Sequence, residues 1–280
     1  MYRISVIIPT CDRPEMLERA LDCVEQQTLK EKEVVVVDNG LTPLPEGFHR
    51  RFQSVSFLNI PPRAGAAIAR NWGAMKAKGE ILAFLDDDDK WPPEFLEKMY
   101  NCLVESEADL VCSPLHIIKE KEEEVMHPVL PDSSGCLPRW YGIGYGGSNT
   151  MVKRSSFWAV GGYKNWLVTG EDRALIIELT RKEMKIVCCN ATFAVAHKHS
   201  GAQLTDNKTL LLGKLCFLTA YGYEMPKREL AEDRFAFLIY LSREWKFPLW
   251  IFAFFVAPSA GWRRFKKYLP FIKKELKQKD

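Results

Sequence analysis

The chain has 280 residues, of which 47% are apolar and 27% charged, so it is an ordinary globular protein and not a disordered one. This length suits one large domain, or one domain with a substantial appendage. The net charge of +3 is unevenly spread, because Arg263–Asp280 holds eight Lys/Arg against two acids and carries +6. Met1–Trp262 therefore carries −3, which gives no sign of nucleic-acid binding, while the basic tail indicates an anionic surface.

The eight cysteines stand at irregular spacings without a CxxC pair, which argues against a disulfide framework or a zinc site. We expect reduced, mostly buried thiols in a cytosolic protein. A strand-like run follows Arg3 at once, so no signal peptide is predicted. No stretch reaches the roughly 18–20 apolar residues that a membrane-spanning helix needs.

Strands and helices alternate along the first half of the chain. Short apolar runs predict buried strands, and apolar residues at helical spacing predict amphipathic helices. The strands are predicted at Ile4–Ile8, Val34–Val37, Ser56–Asn59 and Ile81–Leu85, with helices after Pro14 and over Gly65–Lys78. This order is typical of an α/β protein with a doubly wound, mostly parallel sheet.

Further elements follow in the second half: helices over Pro93–Ser106 and from Gly170 to Lys182, and strands at Leu110–Ser113, Lys185–Cys189 and Thr192–Ala196. The charge run Lys119–Glu124 predicts a solvated hairpin tip or loop. From about residue 208 the pattern becomes helical, beginning with Leu210–Tyr221. We therefore predict a sheet domain over 1–207 and a helical appendage over 208–280.

Polar residues follow three of the predicted strands where ligands of such sheets bind, beyond the carboxyl ends. Thr10 and Asp12 follow the first strand, Asp38 the second, and Asp86–Asp89 the fourth. Four adjacent carboxylates repel one another unless a positive charge lies among them, and hard divalent cations prefer oxygen ligands. The run therefore predicts a divalent metal site, with an acidic turn before a helix as the alternative.

Several motifs in a fixed order resemble those of family 2 glycosyltransferases with the GT-A fold. They extend over about Ile4–Gly201 and read VIIPTCDRP, VVVVDNG, RAGAAIARNWGAMKAKGEILAFLDDDDKWPP, GSNTMVKR with GGY, and TGED. The resemblance implies a Rossmann-like, mostly parallel sheet flanked by helices. It also implies transfer from a nucleotide-sugar donor with inversion of the anomeric centre. The QxxRW motif of the processive subgroup is absent, so polymer synthesis is not expected.

The resemblance also implies a donor site, in which Asp38 would bind the base through the N3–H group of uracil. Asp86 and Asp88 would fill the first and third places of the DxD motif, with Asp86 nearer the ribose, and the four-Asp run leaves Asp87 as a further candidate. The nucleotide-sugar site would comprise Pro9, Thr10, Asp12, Asp38, Arg70, Asp86 and Asp87. Taken from local sequence alone, Asp38 also fits a turn before Asn39-Gly40.

The remaining site residues are implied in the same way. A Mn²⁺ or Mg²⁺ ion would be bound by Asp88 and by a histidine of the AHKHSG segment, where His199 is favoured over His197 because Ser200-Gly201 follows it. Asp172 would be the catalytic base, although acids at a helix start also fit a purely structural role. The acceptor would meet Gly147, Ser148, Trp166 and Glu171.

The C-terminal region predicts a membrane-surface contact through 247–280. Phe247–Pro258 is apolar but too short to span a bilayer, and aromatic and basic residues alternate after Trp262. This composition suits an interfacial helix on anionic lipid; a helical hairpin packed on the core, or on a second copy in a homodimer, is the alternative. We expect a cytoplasmic protein, peripheral at the inner face of the cytoplasmic membrane.

The sequence thus predicts an inverting, metal-dependent bacterial glycosyltransferase. It would use a UDP-sugar and a glycan or lipid-linked acceptor, in surface polysaccharide or lipopolysaccharide biosynthesis. A nucleotidyltransferase that makes NDP-sugars shares the sheet type but needs a glycine- and lysine-rich phosphate loop, which PTCDRP is not. A non-catalytic module that binds nucleotide-sugar or membrane is the third alternative.

Overall fold

The computed structural model describes residues 3–119, 122–130, 144–198 and 207–225, with scattered residues between 227 and 241. His199 and the 247–280 region, which carry one predicted metal ligand and the predicted membrane surface, lie outside the described residues. The chain divides into two compact units. One comprises Met1–Asn165 with Glu171–Ser200, and the other Trp166–Gly170 with Gly201–Asp280. The predicted boundary at residue 207 stays a prediction.

The strands belong to two sheets of the first unit, and they are β1 Ile4–Thr10, β2 Lys32–Asp38, β3 Val55–Asn59, β4 Ile81–Phe84, β5 Leu110–Cys112, β6 Leu115–Lys119, β7 Glu122–Met126, β8 Thr150–Lys153, β9 Ile186–Cys188 and β10 Ala194–Lys198. The larger sheet has the order β3-β2-β1-β4-β8-β5-β9, and within it β8 runs antiparallel to its neighbours. The smaller sheet has the order β10-β6-β7. The mostly parallel sheet that the sequence predicts is therefore confirmed.

Helices follow the strands in the alternating order that the sequence predicts. They are α1 Pro14–Glu25, α2 Phe48–Arg51, α3 Ala66–Lys76, α4 Phe95–Glu105, α5 Arg154–Ala159 and α6 Glu171–Arg181 in the first unit, and α7 Asn207–Tyr221 in the second. All seven residues of β1 are buried, as expected for a parallel strand covered on both faces. In the part of the chain that the structure describes, no helix combines the length and apolarity needed to cross a bilayer.

Several elements were not predicted from the sequence, among them α2, β6, β7, β8 and α5. β8 inserts between β4 and β5 and pairs with both, and α5 follows it directly. Four residues are too few to show the alternation that distinguishes a strand from a loop. The residues of β4 with which β8 pairs are also distant from it in the sequence. The charge run at Lys119–Glu124 lies at the connection of β6 and β7, which pair as an antiparallel hairpin.

Close packing of α3 on the sheet fixes the position of the helix. A Cβ atom on Gly73 would overlap the side chain of Ile7 and lie 3.2 Å from Val37 Cγ2. Only a glycine permits this approach, because interiors are packed without space for an extra methyl group. Because α3 is fixed against the sheet in this way, the position of Arg70, one turn earlier on the helix, is fixed as well.

Candidate active site

The ends of β1 and β2 place two carboxylates side by side. Thr10 and Asp38 are register partners in the parallel ladder. The Asp38 Oδ1 atom accepts a hydrogen bond from the Gly40 amide at 2.8 Å, and Asp12 Oδ1 accepts one from the Leu41 amide at 2.8 Å. A Cβ atom on Gly40 would lie 2.8 Å from Asp12 Oδ1 and 3.0 Å from Asp38 Oδ1. Glycine at this turn therefore lets the two carboxylates converge.

Asp12 is held in its charged form by the backbone. The amide of Thr42 also donates to its Oδ1 at 2.8 Å, and this hydrogen bond is the main cause that lowers the Asp12 pKa below its usual range. The residue adopts a φ of 54°, a left-handed conformation that aspartate tolerates better than most residues. The first loop thus presents a fixed negative charge beside Asp38.

An arginine lies among the four aspartates. Arg13 Nη2 is 2.5 Å from Asp87 Oδ1, and Arg13 Nη1 is 3.1 Å from Asp88 Oδ2. The Thr10 hydroxyl donates to Asp87 Oδ2 at 2.8 Å. Burial raises the pKa of Asp87 to about 7, and the charge of Arg13 and the Thr10 hydrogen bond work against that rise. The positive charge that four adjacent carboxylates require is thus supplied by the protein itself.

Asp86, Asp87 and Asp88 differ in exposure. The Asp87 side chain has 0% of its surface accessible, whereas Asp86 has 32% and Asp88 19%. Asp87 therefore faces the protein, and Asp86 and Asp88 have surface that a ligand can reach. The register of the predicted DxD motif stays a prediction.

A second arginine joins the acidic run to the TGED motif. Arg70 is buried, with 4% of its side chain accessible. Its Nη2 atom lies 2.6 Å from Asp86 Oδ1 and its Nη1 atom 2.8 Å from Glu171 Oε1. The guanidinium carbon lies 5.3 Å from the centre of the Tyr163 ring, a distance typical of a cation–π contact. One side chain thus ties together segments that are 101 residues apart.

Gly147 has a packing role at this guanidinium. A Cβ atom at this position would lie 2.8 Å from Arg70 Nη2, which is too close for a carbon atom. The neighbouring Ser148 hydroxyl accepts a hydrogen bond from the Asp86 amide at 3.0 Å and donates to Asp89 Oδ2. Both residues were predicted to meet the acceptor, and that role stays a prediction; in the structure Gly147 packs against Arg70 and Ser148 bonds the acidic run.

Asp172 stands beside this bridge with a raised pKa. Its Oδ1 atom is inaccessible to solvent although the residue as a whole is half-buried. Burial is the main cause that raises its pKa to about 7, followed by the charge of Glu171, and the charge of Arg70 opposes the rise. A carboxyl group with a pKa near neutrality is suited to accept a proton during a reaction at that pH.

The residues at the rim fit a divalent cation in the chemistry of their donor atoms. Carboxylate oxygens of Asp86 and Asp88 are the ligands that Mg²⁺ and Mn²⁺ prefer. Among the described residues, however, no group of three or more His, Cys, Asp or Glu side chains is arranged to hold a metal ion. A cation there would need further ligands, and phosphate oxygens of a nucleotide are suitable ones.

Two predicted residues are not brought to this rim by the described part of the structure. Trp166 belongs to the second unit, where its ring stacks with that of Tyr221 at 6.3 Å between centroids. His199 lies outside the described residues. Their predicted roles, acceptor contact and metal ligand, stay predictions.

Residues 5–161 match the family model described as glycosyl transferase family 2. This match covers more than half of the chain. The chain belongs to this family. One curated relative is the GalNAc(5)-diNAcBac-PP-undecaprenol beta-1,3-glucosyltransferase of Campylobacter jejuni, which is 30% identical over 127 residues, 39% of this chain and 41% of the relative.

Two solved structures have the same fold as this family 2 chain. Staphylococcus aureus TarS 1–349 in complex with UDP-GlcNAc superposes with a TM-score of 0.60 at 16% identity, over 90% of this chain and 79% of that one. The mannosyltransferase PcManGT of Pyrobaculum calidifontis, in complex with GDP-Man and Mn²⁺, superposes with a TM-score of 0.57 at 18% identity, over 93% and 77%. At such identities the likeness concerns the fold alone.

This family 2 chain matches only part of its curated relatives, since the matched regions span between 19% and 62% of their lengths. Residues 5–161, which match the family model, include Asp86–Asp89 but neither Glu171 nor Asp172.

Sequence reasoning missed Arg13 as a residue of the site. One signal was available in the sequence, because Arg13 directly precedes Pro14, where a helix is predicted to begin. A positive charge at a helix amino end is unfavourable with respect to the helix dipole, so an arginine there indicates an acidic partner. The identity of that partner depends on contacts about 75 residues away, which no local pattern reveals.

The Arg70 bridge generates a prediction about stability. Arg70→Met should lower the free energy of unfolding by about 2 kcal/mol or more, because Glu171 and Asp86 lose the buried cation that neutralises them. Urea denaturation followed by circular dichroism measures the change. Arg51→Met is the matched control, since Arg51 is half-exposed and pairs with the exposed acids Glu18 and Asp22. It should cost less than about 1 kcal/mol, and equal effects of the two variants would contradict the bridge.

Proposed function

We propose that the chain is an inverting, metal-dependent glycosyltransferase that moves a sugar from a UDP-sugar to a glycan or a lipid-linked acceptor. The observation that carries this proposal is the Arg70 bridge. It joins Asp86, on the side where a donor would bind, to Glu171, and Glu171 is followed by a carboxyl group with a pKa of about 7. Donor site and base are thereby linked through one side chain.

The donor would bind over the first half of the large sheet. Asp38 lies in a polar turn at the end of β2, where its carboxylate can accept a hydrogen bond from the base N–H of uracil. Pro9, Thr10 and Asp12 would line the same pocket, and Asp86 would accept hydrogen bonds from the ribose. The complexes of TarS with UDP-GlcNAc and of PcManGT with GDP-Man support a nucleotide-sugar as the ligand.

The transfer step needs one base. The acceptor hydroxyl would lose its proton to the Asp172 carboxylate while its oxygen forms a bond to the anomeric carbon. The bond from that carbon to the diphosphate oxygen breaks at the same time, and the electron pair leaves with the diphosphate. Because attack comes from the face opposite the leaving group, the configuration is inverted and no second carboxylate nucleophile is required.

The leaving diphosphate develops negative charge close to the acidic rim. A Mn²⁺ or Mg²⁺ ion held by Asp88 and His199 would supply positive charge that stabilises this group. Arg13 Nη1 lies 3.1 Å from Asp88 Oδ2, and the 19% of the Asp88 side chain that stays accessible supports its role as a ligand. PcManGT, crystallised with Mn²⁺, supports a divalent cation in this fold.

The acceptor would approach the side of Asp172, where Gly147, Ser148, Trp166 and Glu171 are its expected contacts. The relative from Campylobacter jejuni acts, by its name, on an undecaprenol-linked glycan, which supports a lipid-linked acceptor in surface polysaccharide assembly. The basic and aromatic 247–280 region would bring the enzyme to the cytoplasmic face of a membrane where such an acceptor resides.

The base assignment is tested with Asp172→Asn. Wild-type protein, incubated with Mn²⁺ and each of UDP-glucose, UDP-galactose, their N-acetyl forms and GDP-mannose, should hydrolyse or transfer at least one sugar. The variant should bind that donor equally well by calorimetry but turn it over about 10²–10⁴-fold more slowly, because a general base contributes this much. Full turnover by the variant would refute the role of Asp172, and no donor binding by the wild type would refute the function.

The metal assignment is tested by chelation and by Asp88→Ala. Excess EDTA should abolish turnover, and added Mn²⁺ should restore it in the wild type but not in Asp88→Ala, because the variant lacks the carboxylate ligand. Asp109→Ala is the control. Asp109 precedes β5 and is not part of the rim, and its carboxylate accepts a hydrogen bond from Ser156. Undiminished transfer in excess chelator would show that no divalent cation takes part.

The raised pKa of Asp172 predicts a pH dependence. The base acts as a carboxylate, and its pKa is raised to about 7, so it is protonated and inactive well below that pH. The value of kcat/KM should therefore rise from about pH 5.5 to about pH 8.5 with a midpoint near 7, since this ratio reports groups of the free enzyme. A profile that is flat over this range would contradict the assignment.

A further inference from the structure

Two thiols face each other across the edge of the large sheet, outside the site described above. Cys112 of β5 and Cys188 of β9 are register partners in a parallel pair. Register partners on neighbouring strands project to the same face, and their strands lie about 4.8 Å apart. This separation is within the roughly 4.4–6.8 Å between Cα atoms that a disulfide spans. The backbone therefore allows a bond between the two sulfur atoms.

The two thiols differ in access to solvent. Cys112 is fully buried, and its Sγ atom lies 3.4 Å from the Val187 carbonyl oxygen. Cys188 is partly exposed and lies on β9, the last strand of the sheet order. Solvent therefore reaches part of Cys188 and none of Cys112.

The environment also separates the two thiols in acidity. The hydrogen bond from the Cys112 thiol is the main cause that lowers the pKa of Cys188, while burial raises the pKa of Cys112. Because the thiolate is the reactive form, Cys188 is the better nucleophile of the pair. Reactive sensor cysteines are typically accessible, acidic and next to a resolving thiol, and Cys188 has all three properties.

A second pair of neighbouring cysteines, Cys102 and Cys189, differs from the first. Cys189 follows the last residue of β9, and its Sγ atom lies 3.7 Å from the Lys98 carbonyl oxygen of α4. There burial and the neighbouring Cys189 raise the pKa of Cys102 to about 12. The thiolate of Cys102 therefore forms less readily than that of Cys188, so Cys102 is not expected to make the first attack on a disulfide.

We propose that Cys188 and Cys112 form a thiol–disulfide exchange site for low-molecular-weight disulfides. The Cys188 thiolate attacks a disulfide RSSR, forms the mixed disulfide Cys188–S–SR and releases RS⁻. The Cys112 sulfur then attacks the Cys188 sulfur, its proton passes to the departing sulfur, and the second thiol leaves as RSH. The protein gains one disulfide, and the two electrons lost by its thiols reduce RSSR to two thiols.

The site lies next to a segment that holds the acidic rim. Ser113, which follows Cys112, donates its amide to the Asn149 carbonyl at 2.9 Å, and its own carbonyl accepts from Asn149 Nδ2 at 2.6 Å. Asn149 is adjacent to Ser148, whose hydroxyl is bonded to Asp89. The exchange site therefore modifies the strand end against which the Gly147–Ser148 segment is anchored.

The test uses the full-length chain, reduced and then incubated with glutathione disulfide. After alkylation of the remaining thiols, mass mapping should find a Cys112–Cys188 disulfide in the wild type and no retained glutathione at either position. Cys112→Ser should stop at one glutathione on Cys188, and Cys188→Ser should lose both products. Cys102→Ser is the matched control, and its products should equal those of the wild type.

The wild-type map alone can overturn the proposal, whatever the folding of the variants. Burial raises the pKa of both Cys11 and Cys23, so Cys188 should be modified well before either of them. Modification of Cys188 no faster than that of Cys11 would refute its nucleophilic role. Glutathione that persists on Cys188 while Cys112 is still alkylated would refute the resolving role of Cys112.

Discussion

The ion pairing of a crowded row of carboxylates with the partly exposed Arg13 and the buried Arg70 is the constraint on which the rest of the structure depends. Two like charges 4 Å apart repel by about 4 kcal/mol at an effective dielectric constant of 20, and the end of β4 carries four carboxylates in sequence. Arg13 neutralises Asp87 and Asp88, and Arg70 neutralises Asp86 together with Glu171. Without these two arginines, repulsion would oppose the close approach of the ionised carboxylates.

The positions of the two arginines follow from ordinary packing. Arg13 stands where α1 begins, and the apolar face of α1, with Leu17 and Leu21 buried, sets the direction of that helix. Arg70 stands on α3, which lies tightly on β1 and β2 because Gly73 has no side chain. The hydrophobic core thus determines where the charges lie. The charges in turn determine which oxygens stay exposed for a ligand and which carboxyl group acquires a pKa near 7.

Much of the fold could be predicted from the sequence, because β1, β2 and β4 are apolar runs that end in polar residues. Their carboxyl ends meet at one edge, so the grouping of Asp38 with the acidic run also followed. β8 could not be predicted, since its partners are residues of β4 and β5 distant along the chain. The ion pairs of Arg13 and the hydrogen bonds of Ser148 to the acidic run could not be predicted either. These contacts join segments that are distant in the sequence, and the residue pattern within one segment does not reveal them.

The path of the chain between its two units has a consequence for how such enzymes can diversify. The chain leaves the first unit at Trp166 and returns at Glu171. Within the second unit, Gly170 packs against Phe217 and Trp166 stacks with Tyr221. The helical region therefore cannot be exchanged by itself. A recombination event that replaced only the residues after 207 would remove the contacts that Trp166 and Gly170 make with Tyr221 and Phe217. The Trp166–Gly170 segment and the helical region therefore have to be exchanged together.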